Sequence, residues 1–257
     1  MSSTVLNFGP ALAVAIVLVV VLGTAVAWIG RTGHEIALPW ASIRAAAQLV
    51  VLSLVIGAVV DSLPLVAAFV ALMVGTASWA AARRATSLTA PGASPRRRPT
   101  LRQVAWCAIP VAAFPLALVV VLVVVGVVPR NGLAIIPVAG IMLGNAMAIV
   151  GLAGRRASDE LVTRHGEVEA AMALGFTDVQ ARLLICRDAA STSLGPSLDQ
   201  TRTIGLVTIP GAFVGMVLGG AQPWEAGVMQ LFVSTGILTA GVIALVLTTR
   251  LVAAARL

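Results

Sequence analysis

Residues 104–128, VAWCAIPVAAFPLALVVVLVVVGVV, form 25 consecutive positions without a charge. A helix of about 20 predominantly apolar residues crosses the hydrocarbon of a bilayer. A barrel strand would instead alternate apolar and polar positions over a short segment. The stretch therefore reads as a transmembrane helix, in which every backbone hydrogen bond closes on itself.

The same reading extends in both directions. Seven spans are predicted, at 8–30, 38–60, 64–82, 104–128, 133–153, 203–220 and 226–249. The fold class is all-α, a polytopic helical membrane protein, with residues 1–257 as one transmembrane domain. Composition agrees: 59% of the 257 residues are hydrophobic and 11% charged. Soluble domains carry about 25% charge. No basic residue precedes the first span, and its apolar run exceeds a signal-peptide core, so a retained helix is expected.

All 17 basic residues are arginine. Fifteen follow the odd-numbered spans: Arg31; Arg83, Arg84, Arg96, Arg97, Arg98 and Arg102; Arg155, Arg156, Arg164, Arg182, Arg187 and Arg202; Arg250 and Arg256. Arg130 lies in the opposite loops and Arg44 inside span two. The positive-inside rule places the fifteen in the cytoplasm, hence an outside N-terminus and a cytoplasmic C-terminus. The net charge of +7 is topogenic on this reading. No basic stripe with interleaved aromatics is present, so no nucleic-acid partner is expected. Cys107 falls in a span and Cys186 in a loop, which predicts no disulfide.

Two arginine-rich loops are long. Residues 83–103 read as a basic linker rich in Pro, Arg and Ser. Residues 155–202 are polar yet helical in pattern. Ser158 is the expected cap of a helix ending at Leu174, and Gly175 is its stop. Thr177 begins a second helix, with Gln180 as capping-box partner.

The loop contains Glu169-Ala170-Ala171, then three residues, Gly175, nine residues, and Ile185. ABC import permeases carry a loop of this form, ending in Leu-Pro where this chain has Arg187-Asp188. A short helix that stops at a glycine bend presents a compact knob. Ala170 and Ala171 permit close packing, Glu169 offers a charge to a basic partner group, and Phe176 offers an apolar anchor.

A wider resemblance covers essentially the whole chain. Ile136-Pro137-Val138-Ala139-Gly140-Ile141-Met142-Leu143-Gly144-Asn145-Ala146-Met147 resembles the fifth span of the ABC permease family of the FetB/YbbM iron-export type. The stretch 197–211, Ser197-Leu198-Asp199-Gln200-Thr201-Arg202 and onward to Pro210-Gly211, resembles that family's junction into span six. Gly219-Gly220-Ala221 and Pro223-Trp224-Glu225-Ala226 continue the likeness, and Arg44, Gln48 and Leu49 resemble its second span. The resemblance implies a permease subunit of a bacterial inner membrane exporter, paired as a homodimer and served by a separate ABC ATPase subunit. Iron or another metal would be its cargo. Plant relatives form similar two-part transporters with other proposed substrates.

A phosphate loop needs a lysine for the β- and γ-phosphates, and this chain has none. No cofactor is expected on this chain, and ATP-Mg belongs to the partner. No catalytic residue is expected.

Polar groups within spans are costly and mark function or packing. Arg44 and Gln48 share a face of span two, either snorkelling or lining a polar entry. Asn145 needs a partner, either a neighbouring helix or a solute. Asp199 and Arg202, at i and i+3, are read as an ion pair at the mouth of span six. Gly140 with Gly144, and Gly211, Gly215 and Gly219, repeat every four residues and suit close helix contact within one chain or across a dimer. His34 and His165 lie outside the hydrocarbon, so no metal site is assigned. Met142, Met147, Met216 and Met229 offer soft sulfur, but methionines in spans more often serve packing. An ion-coupled carrier would want carboxylates deep in the spans, whereas Asp61 and Glu225 stand at outer ends. A non-transporting scaffold is the third reading.

Overall fold

A computed structural model describes residues 9–60, 62–86 and 98–257. Asp61 and the arginines at 96 and 97 lie outside the described residues, as does most of the predicted basic linker. The chain divides into two compact units, Met1–Asp61 and Ser62–Leu257.

The first unit holds α1 (Pro10–Ile29) and α2 (Ala37–Val59). Pro10 opens α1, where its missing N–H costs nothing. The two helices pack where Gly23 admits Leu38, whose Cδ1 would stand 3.3 Å from a Cβ at that glycine. Their surfaces are almost wholly exposed apolar side chains.

The second unit contains α3 (Leu63–Ala85), α4 (Leu101–Val125), α5 (Gly132–Thr163), α6 (His165–Ala173), α7 (Asp178–Ser191), a 3-10 turn (Thr192–Leu194), α8 (Gly195–Arg202), α9 (Gly211–Leu218) and α10 (Pro223–Ala253). Among the described residues α1 to α5 and α10 are long and apolar enough to cross a membrane. The chain is a multi-pass membrane protein with an all-helical fold.

α5 is the hub. Met142, Leu143, Ala146, Ile149 and Val150 are buried along it. α3 runs beside it in the same direction: Met73, Arg84 and Ala85 meet Gly140, Gly151 and Gly154 in ascending order. α10 is parallel as well. Met142, Asn145, Ile149 and Gly154 of α5 meet Gly236, Ile237, Gly241 and Thr248 of α10 in turn. α4 is antiparallel, with Trp106 stacked on Arg256 at 5.3 Å and Leu118 beside Gly236. Small residues set these contacts, as they do wherever helices meet without a hydrophobic drive between them. Pro110, Pro115 and Pro137 sit inside helices, where packing in lipid tolerates them.

Two sequence expectations are corrected. Residues 203–220 do not form one spanning helix. Thr203 to Pro210 is irregular: Gly205 has φ of +83°, and the N–H groups of Leu206, Val207 and Thr208 all donate to the Thr203 carbonyl. Pro210 has no N–H to continue a helix. Only the eight residues of α9 are helical. Ser158, in turn, caps nothing. α5 runs through it to Thr163, supported by an Arg155–Asp159 pair at 3.7 Å and by Ala157 buried against Cys186 and Ala190.

Candidate functional site

Two features of the second unit bring chemistry-bearing residues together. The first is the turn between α6 and α7. α5 breaks at Arg164, whose guanidinium bonds both carboxylate oxygens of Glu167 and reaches Glu160 at 3.2 Å. This bonding raises the Arg164 pKa and, through Arg164, holds the Glu167 carboxyl below its usual range.

α6 then ends in a Schellman stop. Gly175 takes φ of +95°, its N–H donates to Met172 O at 2.9 Å, and the Phe176 N–H donates to Ala171 O at 3.3 Å. The left-handed conformation is what makes glycine necessary there. Thr177 and Gln180 form the reciprocal capping box that opens α7.

Val168, Ala171, Ala181 and Ile185 form the small core of this hairpin, with Leu161 of α5 against it. Ala171 therefore packs inside its own chain, while Ala170 and Glu169 face outward. Glu169 stands 3.4 Å from His165 Nδ1. At the tip, Leu174, Phe176 and Val179 are exposed. α7 is seated on the second core of Ala153, Ala157, Cys186, Ala190 and Val252, which joins it to α5 and α10. Burial pushes the Cys186 thiol pKa up.

The second feature is a polar cluster between α5, α8 and α10. The Asn145 amide donates to Ile237 O at 3.1 Å, and its oxygen accepts from Ser197 Oγ at 2.9 Å. Asn145 thus bonds two neighbouring elements. Gly241 makes this approach possible: a Cβ there would lie 2.6 Å from Ile149 Cδ1, 3.1 Å from Leu194 Cδ1 and 3.3 Å from Asn145 Nδ2.

Further along α8, Thr201 joins Gly205, Pro210, Phe213, Gln230 and Ser234 around a cleft of about 420 Å³. Gln230 Nε2 donates to Ser234 Oγ at 3.1 Å, and Gln230 Oε1 is buried with no partner among the described residues. Asp199 and Arg202 pair at 3.3 Å on the outer face of α8.

The other predicted residues are more scattered. Arg44 and Gln48 are one turn apart and exposed on α2. A Cβ at Gly140 would lie 3.0 Å from Met73 Cε, whereas Gly144, Gly211 and Gly215 have nothing within 4 Å, and Gly219 meets only the α9 backbone. Among the described residues no three His, Cys, Asp or Glu side chains come together.

Ser197, Gln230, Ser234 and Gly241 were not singled out from sequence. Gln230 alone carried a visible signal, as an amide in an uncharged run.

Comparison with known proteins places these features in a family. Over 79 residues the chain is 42% identical to Protein ALUMINUM SENSITIVE 3 of Arabidopsis thaliana, covering 31% of this chain and 29% of that protein. Over 97 residues it is 34% identical to the UPF0014 membrane protein STAR2 of Oryza sativa subsp. japonica, 38% and 34% of the two chains. Over 74 residues it is 30% identical to the probable iron export permease protein FetB of Escherichia coli, 29% of each chain. These matched stretches span about a third of each relative's length. No solved structure matches. The profile described as "Uncharacterised protein family (UPF0014)" matches residues 10–256, nearly the whole length, and the chain belongs to that family.

Proposed function

We propose that this chain is the membrane-spanning permease subunit of an ABC transporter, energised by a separate ATP-binding subunit. The observation that carries the reading is the α6–α7 hairpin. It presents Leu174, Phe176 and Val179 at an exposed tip, and its two cores fix it to α5 and α10. An exposed apolar tip beside Glu169 suits a cleft on a partner protein. Two rigid attachments suit the transfer of that partner's movement to membrane helices.

On this reading the arginine-rich end is cytoplasmic and the N-terminus outside. The parallel course of α5 and α10 supports one return crossing between them, made by residues 191–222 as a broken segment. Seven crossings result. The permease works as a homodimer in a bacterial inner membrane, and the partner holds ATP-Mg. Similarity to FetB favours export of a metal ion such as iron.

The test is co-purification with candidate ATPases, followed by ATP-dependent transport in liposomes. Gly175→Pro and Glu169→Arg should insert normally and lose coupled transport. Full ATP-driven transport by both variants would exclude the coupling role of the hairpin.

A second reading, an ion-coupled carrier, draws support from Asp199, which lies level with the middle of α10 rather than at a membrane mouth. Transport driven by an ion gradient without any ATPase would favour it.

A further inference from the structure

The depth of α8 follows from its partners. The 24 residues from Ala226 to Thr249 carry no charge, a run of about 36 Å in a helix. Ile237 stands at its middle, and Asn145 is bonded there. Ser197 is bonded to the same Asn145. Leu194 lies against Gly241, and Thr201 shares a cleft with Gln230 and Ser234. α8 therefore runs antiparallel to α10 through the centre of the membrane-spanning layer.

Its sequence is GPSLDQTR. Ser197 faces inward, whereas Asp199, Gln200 and Arg202 face away from the chain. The Asp199 and Arg202 side chains are 73% and 72% exposed. Hydrocarbon does not accept such a face: each charge at mid-depth costs roughly 2.5–3.5 kcal/mol on insertion scales. Immediately after it the backbone leaves helical form at Thr203, and Gly205 to Ile209 are exposed. Irregular backbone at membrane depth occurs only where protein buries it or water bathes it. The charged face and the broken backbone are two independent observations with the same requirement.

We propose that α8 and the turn after it form the wall of a water-filled passage for a charged or strongly hydrated solute, with the Asp199–Arg202 pair on that wall. This rests on the transporter reading, in either its ATP-driven or ion-driven form. A wall with both signs of charge suits a polar cargo better than an apolar one. It is also the arrangement in which solute sites form beside interrupted membrane helices.

Thiol labelling in native membranes tests the proposal and needs neither ATP nor a partner, so its outcome is separate from that of the ABC assignment. Gln200→Cys preserves the ion pair, Asp199→Cys breaks it, and Val121→Cys on the exposed apolar face of α4 is the control. Cys107 and Cys186 are buried and give the background. A charged, membrane-impermeant methanethiosulfonate should label both α8 variants about tenfold faster than the control, because thiolates form in water and not in lipid. Labelling of Gln200→Cys no faster than Val121→Cys overturns the passage. So does a spontaneous disulfide between two copies at Gln200→Cys without labelling, which would make the face a dry subunit seam.

Discussion

Gly154→Ala should loosen the junction of α3 and α5, and the size of the effect follows from one distance. A Cβ at Gly154 would lie 2.8 Å from the Cβ of Ala85, 3.6 Å from its Cα and 3.6 Å from Thr248 Cγ2. Ala85 has no rotamer to change, so the helices themselves must part by about 0.6 Å or more to regain ordinary contact. Overpacking of this kind costs about 1–3 kcal/mol. Alanine returns up to about 1 kcal/mol of helix propensity over glycine. The net expectation is a loss of about 1 kcal/mol. Gly144→Ala, with open space around its Cβ, should keep the propensity gain and lose nothing. Cys107 and Cys186 are buried, so a thiol-reactive dye reports unfolding in detergent as temperature rises. Gly154→Ala should unfold at lower temperature than the parent, and Gly144→Ala should not. Adding Ala85→Gly removes the clashing methyl and should recover most of the loss, a coupling of about 1–2 kcal/mol. Additive effects of Gly154→Ala and Ala85→Gly would refute the contact as the cause.

Asn145→Leu removes the bonds to Ile237 and Ser197 and should destabilise by about 1 kcal/mol, near the 0.6 kcal/mol mean per intramembrane bond, in the same dye assay. Thr177→Ala removes a hydroxyl cap worth about 1 kcal/mol; faster amide exchange confined to the first turn of α7 is the expected readout. The corner at Arg164 should be acid-labile. Glu167 has its pKa lowered by Arg164, so its contribution is complete above the unfolded carboxylate pKa and is lost as pH falls through the lower folded value. Amide exchange at residues 163–168 should rise across that window, and Glu167→Gln should flatten the response.

Much of this architecture was legible because it obeys local rules. Thr177 and Gln180 announce a capping box three residues apart, and they form it. Gly175 stands where a helix must reverse, and it adopts the left-handed conformation. Asn145 in an apolar run demanded a partner and has two. The contacts of α8 were not legible, because hydropathy measures a segment against lipid and not against an amide on a neighbouring helix. GPSLDQTR is polar and reads as a segment outside the membrane, and nothing in its composition points to the bond its inner face makes with Asn145. The span at 203–220 failed in the opposite sense. Its composition is apolar, but Gly205 and Pro210 deny it a continuous helix. Ser158 carried a capping signal that the side-chain pairs and packing of α5 overrode.

From Asp178 to Arg202 every residue is helical, passing from α7 through the 3-10 turn into α8 without an irregular position. A flexible linker would absorb displacement as loop motion. The path is continuous but not uniform: the 3-10 turn, and Pro196 with no N–H to donate, interrupt the ladder of backbone hydrogen bonds between α7 and α8. On the transporter reading, a displacement at the Gly175 tip would reach Asp199 through that joint, as a change of angle between α7 and α8. The exposed hairpin and the charged face of α8 stand as two arms on either side of one joint.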